Sequence, residues 1–390
     1  MKLVLFIHQA AELYGSDKVL LYLVTGLAQR GALKPVVVLP VRGPLWDALQ
    51  AAGIEVHVAP VGKITRAAFN AAGLVRLLRQ VLQSTAQIDR VVAGRPIIAV
   101  HSNTLAVLAG AVWARRRRVP HLWHVHEIIQ RPRMAGRVFP ALVRWLADTV
   151  VSNSTLTQEW LLSHQPALAG RAQVVFNGLP DQPLAPAAAV ASFRAQVGAQ
   201  ADTVLIVLAG RLNHWKGQGL LIEAAAILRQ RGSLGRARLA IVGDAAPGQA
   251  HWAGTLAAQA HAVGLADAVC LLGFVADIRP VWQAADIAVV PSTEPESFGM
   301  VAIEAMAAGV PVVAAAHGGL LDIVNDGGTG VLFTPCSAAA LADALQALIA
   351  QPALRLRLGA AGQLRQQQHF SATSQVIALE QIYLQLEAAG

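Results

Sequence analysis

The chain has 390 residues, of which 55% are hydrophobic and 14% charged, with two cysteines. This apolar content excludes a disordered chain, and no apolar run reaches the roughly 20 residues that a membrane-spanning helix needs. The length suits two or three domains, and so few cysteines fit a reducing compartment. We therefore expect a cytoplasmic protein, with peripheral association with the cytoplasmic face of the membrane as a further hypothesis.

The formal net charge of +8 is unevenly distributed. Residues 1–180 contain 20 Lys and Arg against 8 Asp and Glu, whereas residues 181–390 contain 11 against 15. The excess lies mainly in Arg115, Arg116, Arg117 and Arg118 and in the spaced set Arg131, Arg133, Arg137 and Arg144. A basic half is typical of contact with an anionic membrane or polymer. A solvated face that serves solubility is the alternative.

Short apolar runs alternate with amphipathic stretches in the first half of the chain. Strands are predicted at residues 3–8, 35–39, 55–59, 97–102, 122–125, 149–151 and 173–176, and helices at 18–29, 69–82 and 141–147. This alternation favours βαβ units and a mainly parallel sheet covered by helices on both faces.

Residues 179–200 interrupt the pattern with three prolines and are predicted to form a linker. Strands are then predicted at 203–208, 238–242, 269–272, 287–291, 310–314 and 331–333, and helices at 220–229, 251–263, 300–308, 338–350, 353–367 and 373–388. We expect two doubly wound α/β domains facing a central cleft, residues 1–178 and 179–370. The helix at about 371–390 is a candidate to pack back on the first domain.

The strongest chemical signal lies in residues 291–313. Glu296 lies in a predicted loop, Gly299 opens a helix, and Glu304 follows within that helix. Unpaired N–H groups at a helix N-terminus bind anions, and here they belong to Gly299, Met300 and Val301. The two acids, eight residues apart, can contact one ligand at two points. Alternatively, Glu296 caps the helix and Glu304 lies on an exposed face.

The arrangement Pro-Ser…Glu-x-Phe-Gly…Glu-Ala-Met-Ala-x-Gly-x-Pro-Val-Val, followed by Gly318-Gly319, resembles the retaining glycosyltransferases of family 4. The resemblance continues at residues 209–217, 272–275 and 177–178. It implies a GT-B fold of two Rossmann-like domains, the first binding the acceptor and the second the nucleotide sugar. It further implies retaining transfer of a hexose from a UDP- or GDP-linked donor, with no metal ion or other cofactor.

The resemblance also implies a role for individual residues. Glu296 would contact the transferred sugar, Glu304 the ribose, and Arg211 and Lys216 the diphosphate. His126 would lie beside the donor sugar, with His124 as a rival, and the implied catalytic residues are His126, Glu296, Arg211 and Lys216. The other implied donor contacts are Gly15, Gly273, Phe274, Val275, Phe298, Gly299, Met300 and Val301. Ser16 stands where the family often has a second glycine, which favours Gly15 as the phosphate contact.

The acceptor is predicted from the basic first half. Residues 131–146 mix arginines with apolar side chains, which suits the interface of an anionic bilayer and a lipid-linked saccharide of lipopolysaccharide or exopolysaccharide assembly. A core helix with a charged outer face is the alternative. The candidate acceptor or membrane contacts are Arg115, Arg116, Arg117, Arg118, Arg131 and Arg133. No nucleic acid partner is expected.

Two other functions remain open from the sequence. One is a nucleotide-sugar epimerase or a phosphorylase with the same fold, although the Glu296 and Glu304 spacing argues against the former. The other is a basic module that binds an anionic surface, which would leave Arg211, Lys216, Glu296 and Glu304 without a role.

Overall fold

A computed structural model describes residues 2–64, 70–129, 133–246 and 248–389. Its chain divides into two compact units. The first unit comprises Met1–Pro180 and Phe370–Gly390, and the second comprises Asp181–His369. No helix within the described ranges is long and apolar enough to cross a bilayer.

The first unit contains a parallel sheet. Its strands are β1 (Lys2–Ile7), β2 (Leu33–Leu39), β3 (Glu55–Val58), β4 (Ile97–Ser102), β5 (His121–Val125), β6 (Thr149–Ser152) and β7 (Ala172–Val174). They pair in the order β3-β2-β1-β4-β5-β6-β7, every pair parallel. The central strands read as continuous apolar runs because helices cover both faces of the sheet.

The helices of the first unit lie in two layers. They are α1 (Gly15–Arg30), α2 (Pro44–Ala51), α3 (Ala71–Val92), α4 (Ala109–Arg117), α5 (Arg133–Leu146) and α6 (Thr155–His164), with a 3₁₀ helix at Pro166–Arg171. Helices α1 and α2 pack on one face, and α3 to α6 pack on the other. In each βαβ unit the helix starts at the carboxyl edge of the sheet, so the first turns of α1, α3 and α5 lie at that edge.

The second unit repeats this architecture. Its elements are α7 (Ala187–Gln196), β8 (Leu205–Ala209), α8 (Gln218–Gln230), β9 (Arg238–Val242), α9 (His251–Ala262), β10 (Val269–Leu272), α10 (Arg279–Ala284), β11 (Ile287–Val290), α11 (Met300–Ala307), β12 (Val312–Ala315), α12 (Leu320–Ile323), β13 (Gly330–Phe333), α13 (Ala338–Ala350) and α14 (Pro352–His369). The parallel strand order is β10-β9-β8-β11-β12-β13. Helices α8, α9 and α13 cover one face of this sheet.

The last helix, α15 (Ala372–Ala389), packs against α1 and β4 of the first unit. The backbones of Leu179 and Phe370 are hydrogen-bonded at 2.9 Å, which holds the start of this segment. Glu380 pairs with Arg30 at 2.8 Å. A Cβ on Gly26 of α1 would lie 2.7 Å from a methyl group of Val376, so the absence of a side chain lets the two helices approach closely.

The prediction of two parallel α/β sheets is confirmed, and each predicted strand is present to within two residues at either end. The helices α2, α4, α6, α10 and α12 were not predicted. The linker prediction for residues 179–200 is wrong in part, because α7 lies within it and buries Phe193. Pro186 is the N-cap of α7, so a proline there precedes the helix instead of breaking it.

The packing of α15 predicts a large stability cost for a buried substitution on this helix. Leu379 is fully buried, and Leu379→Ala should lower the free energy of unfolding by about 2–5 kcal/mol. Leu384→Ala on the same helix is the control, because Leu384 is 40% exposed. Urea unfolding measures both, and equal effects would contradict the packing of α15 described above.

Candidate active site

The loop after β8 positions Lys216. Asn213 accepts hydrogen bonds through Oδ1 from the backbone N–H groups of Trp215 at 3.1 Å and Lys216 at 2.9 Å, which closes a tight turn. Gly217 follows with a φ of 77°, and a Cβ there would collide with the carbonyl oxygen of Pro291. The turn is therefore pressed against the loop that follows β11.

Lys216 and Glu296 form a nearly buried ion pair. The Lys216 Nζ lies 2.8 Å from Oε1 of Glu296, and the two side chains are 17% and 8% exposed. Ser292 donates its hydroxyl to the same oxygen, and the ammonium group lies 4.4 Å from the centroid of the Trp215 ring. Both hydrogen bonds use the Oε1 atom of Glu296. Its other carboxylate oxygen, Oε2, has no hydrogen-bond partner among the described residues.

Two glycines hold the backbone of the Glu296 loop. The Gly319 N–H donates to the carbonyl oxygen of Glu296 at 2.8 Å. A Cβ on Gly318, whose φ is 68°, would lie 2.7 Å from the amide nitrogen of Glu296. The neighbouring His317 donates from Nε2 to the carbonyl oxygen of Ser292 at 2.8 Å. Larger residues at the two glycines would push the loop away and move Glu296.

Helix α11 begins directly after this loop. Gly299 has a φ of 126°, and a Cβ there would lie 2.8 Å from Cδ2 of Leu320. No side chain caps this end of α11. Phe298 is buried, whereas Met300 and Val301 are half-buried. An uncapped helix N-terminus with partly exposed first residues favours an anionic ligand.

Arg211 and Glu304 flank the ion pair on neighbouring elements. Arg211 is exposed two residues after β8, and Gln218 donates from Nε2 to its carbonyl oxygen at 3.0 Å. Glu304 is half-buried in the second turn of α11. Strands β8 and β11 are adjacent, so all four charged residues come from neighbouring strand ends.

Residues 273–275 lie further along the same carboxyl edge. They follow β10, the edge strand, which is separated from β8 by β9. Phe274 is 60% exposed, and a Cβ on Gly273 would lie 3.2 Å from Oδ1 of Asp244. The carboxyl edge of the second unit therefore carries the uncapped N-terminus of α11 after β11 and, three strands away, an exposed aromatic loop after β10.

In the first unit, polar side chains after β1, β4 and β5 form a buried hydrogen-bonded chain. Asp17 Oδ1 lies 2.7 Å from Nε2 of His8, and Asn103 Nδ2 lies 3.1 Å from Nδ1 of His8. Asn103 Oδ1 lies 3.2 Å from Nε2 of His126. All four residues are buried, and only Asp17 and His126 keep a small exposed fraction.

The His124 imidazole is packed between two others. Its ring centroid lies 4.0 Å from that of His126 and 5.2 Å from that of His101. Both ring nitrogens of His124 are buried without a hydrogen-bond partner. The neighbouring Glu127 accepts through Oε2 from the backbone N–H groups of Leu105 at 3.2 Å and His126 at 3.3 Å.

Gly15 and the basic residues lie elsewhere in the first unit. Gly15 is exposed at the start of α1, and no side chain caps that helix. The exposed basic cluster at the C-terminal end of α4 consists of Arg115, Arg116, Arg117 and Arg118. Within it, Arg117 pairs with Asp89 at 2.7 Å. Arg131 lies outside the described residues, and Arg133 is the first residue of α5.

Two family models match the chain. Glycosyltransferase Family 4 matches residues 14–182, and Glycosyl transferases group 1 matches residues 190–365. A D-inositol 3-phosphate glycosyltransferase of Nocardioides sp. is 31% identical over 354 residues, which cover 84% of this chain and 75% of the relative. The chain belongs to the group 1 and family 4 glycosyltransferases. The group 1 match contains Arg211, Lys216, Glu296 and Glu304, and the family 4 match contains Gly15 and His126.

Further relatives and solved structures agree with this family. A D-inositol 3-phosphate glycosyltransferase of Thermobifida fusca is 35% identical over 221 residues, covering 56% of this chain and 50% of the relative. The chain likewise covers only about half to two thirds of the length of several other curated relatives. The structure of Anabaena HepE in complex with UDP has a TM-score of 0.83 and 26% identity, covering 98% of this chain and 99% of that one. The fold is GT-B.

The glycosyltransferase motifs assigned no role to His8, Asp17, Asn103 or Ser292. Each lies directly after a strand or in the first turn of a helix at a carboxyl edge. Their position at a carboxyl edge was the one feature of the sequence that could have identified them as candidate site residues, because ligands of doubly wound sheets bind there. Asn103 bonds His8 and His126, which are 95 and 23 residues away in sequence, so no local pattern predicted these hydrogen bonds.

Burial keeps several histidines of the chain neutral. It lowers the pKa of His121 to about 4 and that of His126 to about 3, and it holds the pKa of His101 and His124 well below the ordinary value. Burial acts in the opposite direction on Glu127 and raises its pKa to about 7. Below about pH 6.5, where histidines of an unfolded chain titrate, the unfolded state therefore binds more protons.

We expect the free energy of unfolding to fall as the pH falls from about 6.5 to about 4.5. Each of the four histidines contributes a slope of about 1.4 kcal/mol per pH unit, and Glu127 offsets one of them. His124→Phe should remove one such slope, as measured by urea unfolding at about pH 7, 6 and 5. His164→Phe, at an exposed position, is the control for replacing an imidazole with a phenyl ring. An unaltered slope in His124→Phe would show that His124 does not titrate in this way.

Proposed function

We propose that this protein transfers a hexose from a UDP-linked sugar to an acceptor hydroxyl, with the nucleotide sugar bound by the second unit and the acceptor by the first. The observation that carries this proposal is the Lys216 and Glu296 pair beside the uncapped end of α11, in a chain of this family. Support for a UDP-linked donor comes from Anabaena HepE, 26% identical, which has been crystallised with UDP and with UDP-glucose.

The proposed reaction is metal-independent. Negative charge develops on the departing diphosphate, and preorganised donors aimed at that charge are usually the largest catalytic contribution. Arg211, Lys216 and the first N–H groups of α11 would supply such donors from one strand-end region. Charge-assisted hydrogen bonds from these cations are about twice as strong as neutral ones, which suits stabilisation of the leaving group.

The proposed stereochemical outcome is retention. Oε1 of Glu296 is occupied by Lys216 and Ser292, so we assign Oε2 to the hydroxyl groups of the transferred sugar and not to attack on its carbon. An oxygen of the leaving diphosphate would then take the proton of the acceptor hydroxyl, which attacks from the same face. His126 would contact the sugar, Glu304 the ribose, residues 273–275 the base, and Gly15 the phosphate.

Donor binding is tested by thermal unfolding with UDP, GDP, ADP and their sugar conjugates. A ligand at about 100 times its dissociation constant adds about 2.7 kcal/mol, which raises the midpoint by several degrees. We expect the UDP series to do so, and Glu304→Ala and Lys216→Met to reduce the shift. Glu223→Ala is the matched control, because Glu223 is an exposed acid on α8 of the same unit.

The same protein preparations are used to assay the transfer reaction. Hexose transfer should continue in excess EDTA, and the product should keep the anomeric configuration of the donor by NMR. A shift with GDP conjugates alone would replace the proposed base. Absence of any shift at millimolar ligand would remove the proposal and favour a module that binds anionic surfaces.

For the acceptor, we propose a lipid-linked saccharide at an anionic membrane surface. Helix α3 carries four large apolar side chains that are each about half exposed: Leu74, Val75, Leu78 and Leu82. Exposed Met134, Val138 and Trp145 lie on α5 of the same layer. Helix α4 packs against both α3 and α5, and its basic cluster contacts α3 through Arg116 and Arg117. Apolar ridges beside basic residues favour an anionic bilayer interface.

A phosphorylated polyol is the second candidate acceptor. The curated relatives from Nocardioides sp. and Stackebrandtia nassauensis are both named D-inositol 3-phosphate glycosyltransferases. The basic first unit would also suit a soluble phosphate-bearing acceptor.

Membrane binding is tested by co-sedimentation with vesicles of phosphatidylglycerol and phosphatidylcholine. We expect binding that pure phosphatidylcholine does not support and that high salt weakens, because the attraction is electrostatic. Leu78→Glu should reduce it at least several-fold. Leu364→Glu is the matched control, because Leu364 is also 55% exposed but lies on α14 of the second unit. No binding to either vesicle, together with transfer to inositol phosphate, would establish the second candidate instead.

A further inference from the structure

The buried chain of Asp17, His8, Asn103 and His126 specifies the position of each of its protons. The Asp17 carboxylate can only accept, so Nε2 of His8 must donate to it. Asn103 is placed with its amide nitrogen towards the other nitrogen of His8, Nδ1, which accepts from it, and with its oxygen towards His126. The oxygen can only accept, so Nε2 of His126 carries its proton.

A second branch meets the same oxygen of Asn103. His101 Nε2 lies 3.3 Å from the Asn103 Oδ1, and His101 Nδ1 lies 2.6 Å from the hydroxyl of Tyr383 on α15. Because the Asn103 oxygen can only accept, the single proton of a neutral His101 lies on Nε2, and its Nδ1 accepts from the phenol. Reversing the amide of Asn103 would require Nε2 of His101 and of His126 to lose its proton and Nδ1 of His8 to carry one.

We infer that Asn103 is a positioning residue that fixes His126 in the tautomer protonated at Nε2, so that His126 Nδ1 accepts a hydrogen bond from a hydroxyl of the transferred sugar. The inference rests on the proposed function, which places His126 at the donor sugar. Within the described residues, Nδ1 of His126 has no protein hydrogen-bond partner and is not buried, unlike both nitrogens of His124.

The packing around His126 supports this role. His124 stacks against one face of the ring and Asn103 holds its Nε2, so neither rotation nor tautomer exchange occurs without breaking a buried contact. The far end of the chain is also fixed, because the Asp17 N–H donates to the carbonyl oxygen of Tyr14 at 2.7 Å in the first turn of α1. Asp17 is two residues from Gly15, so the same chain connects the glycine loop to His126.

The tautomer is measured directly, without activity, from the ¹⁵N shifts of the ring nitrogens in protein labelled at histidine. We expect His126 protonated at Nε2 and unprotonated at Nδ1, with His8 and His101 in the same tautomer. Assignment comes from the spectrum of His126→Gln. A wild-type His126 protonated at Nδ1 would overturn the inference, whatever the activity of the protein.

Two substitutions separate positioning from a structural role. Asn103→Leu removes the acceptor, and we expect His126 to become a mixture of tautomers, with kcat about 10- to 100-fold lower and the KM for the nucleotide sugar within about twofold of the wild type. Asn103→Asp keeps an acceptor for Nε2 of His126, so it should retain the tautomer and most of kcat. Its added negative charge should shift the acidic limb of the pH profile upwards.

Asn153→Leu is the matched control. Asn153 is a buried asparagine directly after β6, and its side chain bonds Thr157 at 3.0 Å, not a histidine. It should lose thermal stability as Asn103→Leu does, but keep the His126 tautomer and kcat. If Asn103→Leu does not fold, the inference is tested by the His126 tautomer in the wild-type spectrum and by the tautomer and kcat of Asn103→Asp. Equal losses of kcat in Asn103→Leu and Asn153→Leu would refute the inference. Correct tautomers in a protein that neither binds nor transfers a UDP-sugar would instead refute the proposed function.

Discussion

Polar side chains at the carboxyl ends of buried parallel strands have to find partners inside the protein. Water cannot reach them, and an unpaired buried polar group costs about 1–3 kcal/mol. The second unit meets this requirement by joining Lys216 to Glu296, with Ser292 on the same oxygen. The first unit meets it with the chain from Asp17 to His126. In both units the residues implied in chemistry are therefore oriented before a ligand arrives.

His124 departs from this rule. Its two ring nitrogens are buried without partners, and its ring lies tilted against the His126 ring and edge-on to the His101 ring. The protein tolerates this because burial keeps the ring neutral. The same burial makes the site sensitive to acid, since it disfavours a charged ring and since two charged neighbours would lie a few ångströms apart. Keeping these imidazoles rigid and neutral therefore lowers the free energy of unfolding below neutral pH.

The C-terminal helix α15 connects fold to site. It returns to the first unit, buries Tyr383, and so supplies the phenol that orients His101 and, through it, Asn103. A helix that follows the entire second unit therefore completes a hydrogen-bond network built on β1, β4 and β5. Loss of α15 would expose apolar surface and also remove the phenol that bonds His101.

The sequence by itself determined the alternation of strands and helices, because apolar periodicity is a local property. It also determined the family, because Glu296, Gly299 and Glu304 have a characteristic spacing along one loop and helix. It did not reveal α7 among the prolines of residues 179–200, because the packing of Phe193 there depends on distant elements. Only the tertiary structure decided that Lys216 and Glu296 meet, and that His8, Asn103, His126 and Tyr383 share one network. These partners are separated by 80 residues in the first case and up to 282 in the second, so no local pattern encodes their contact.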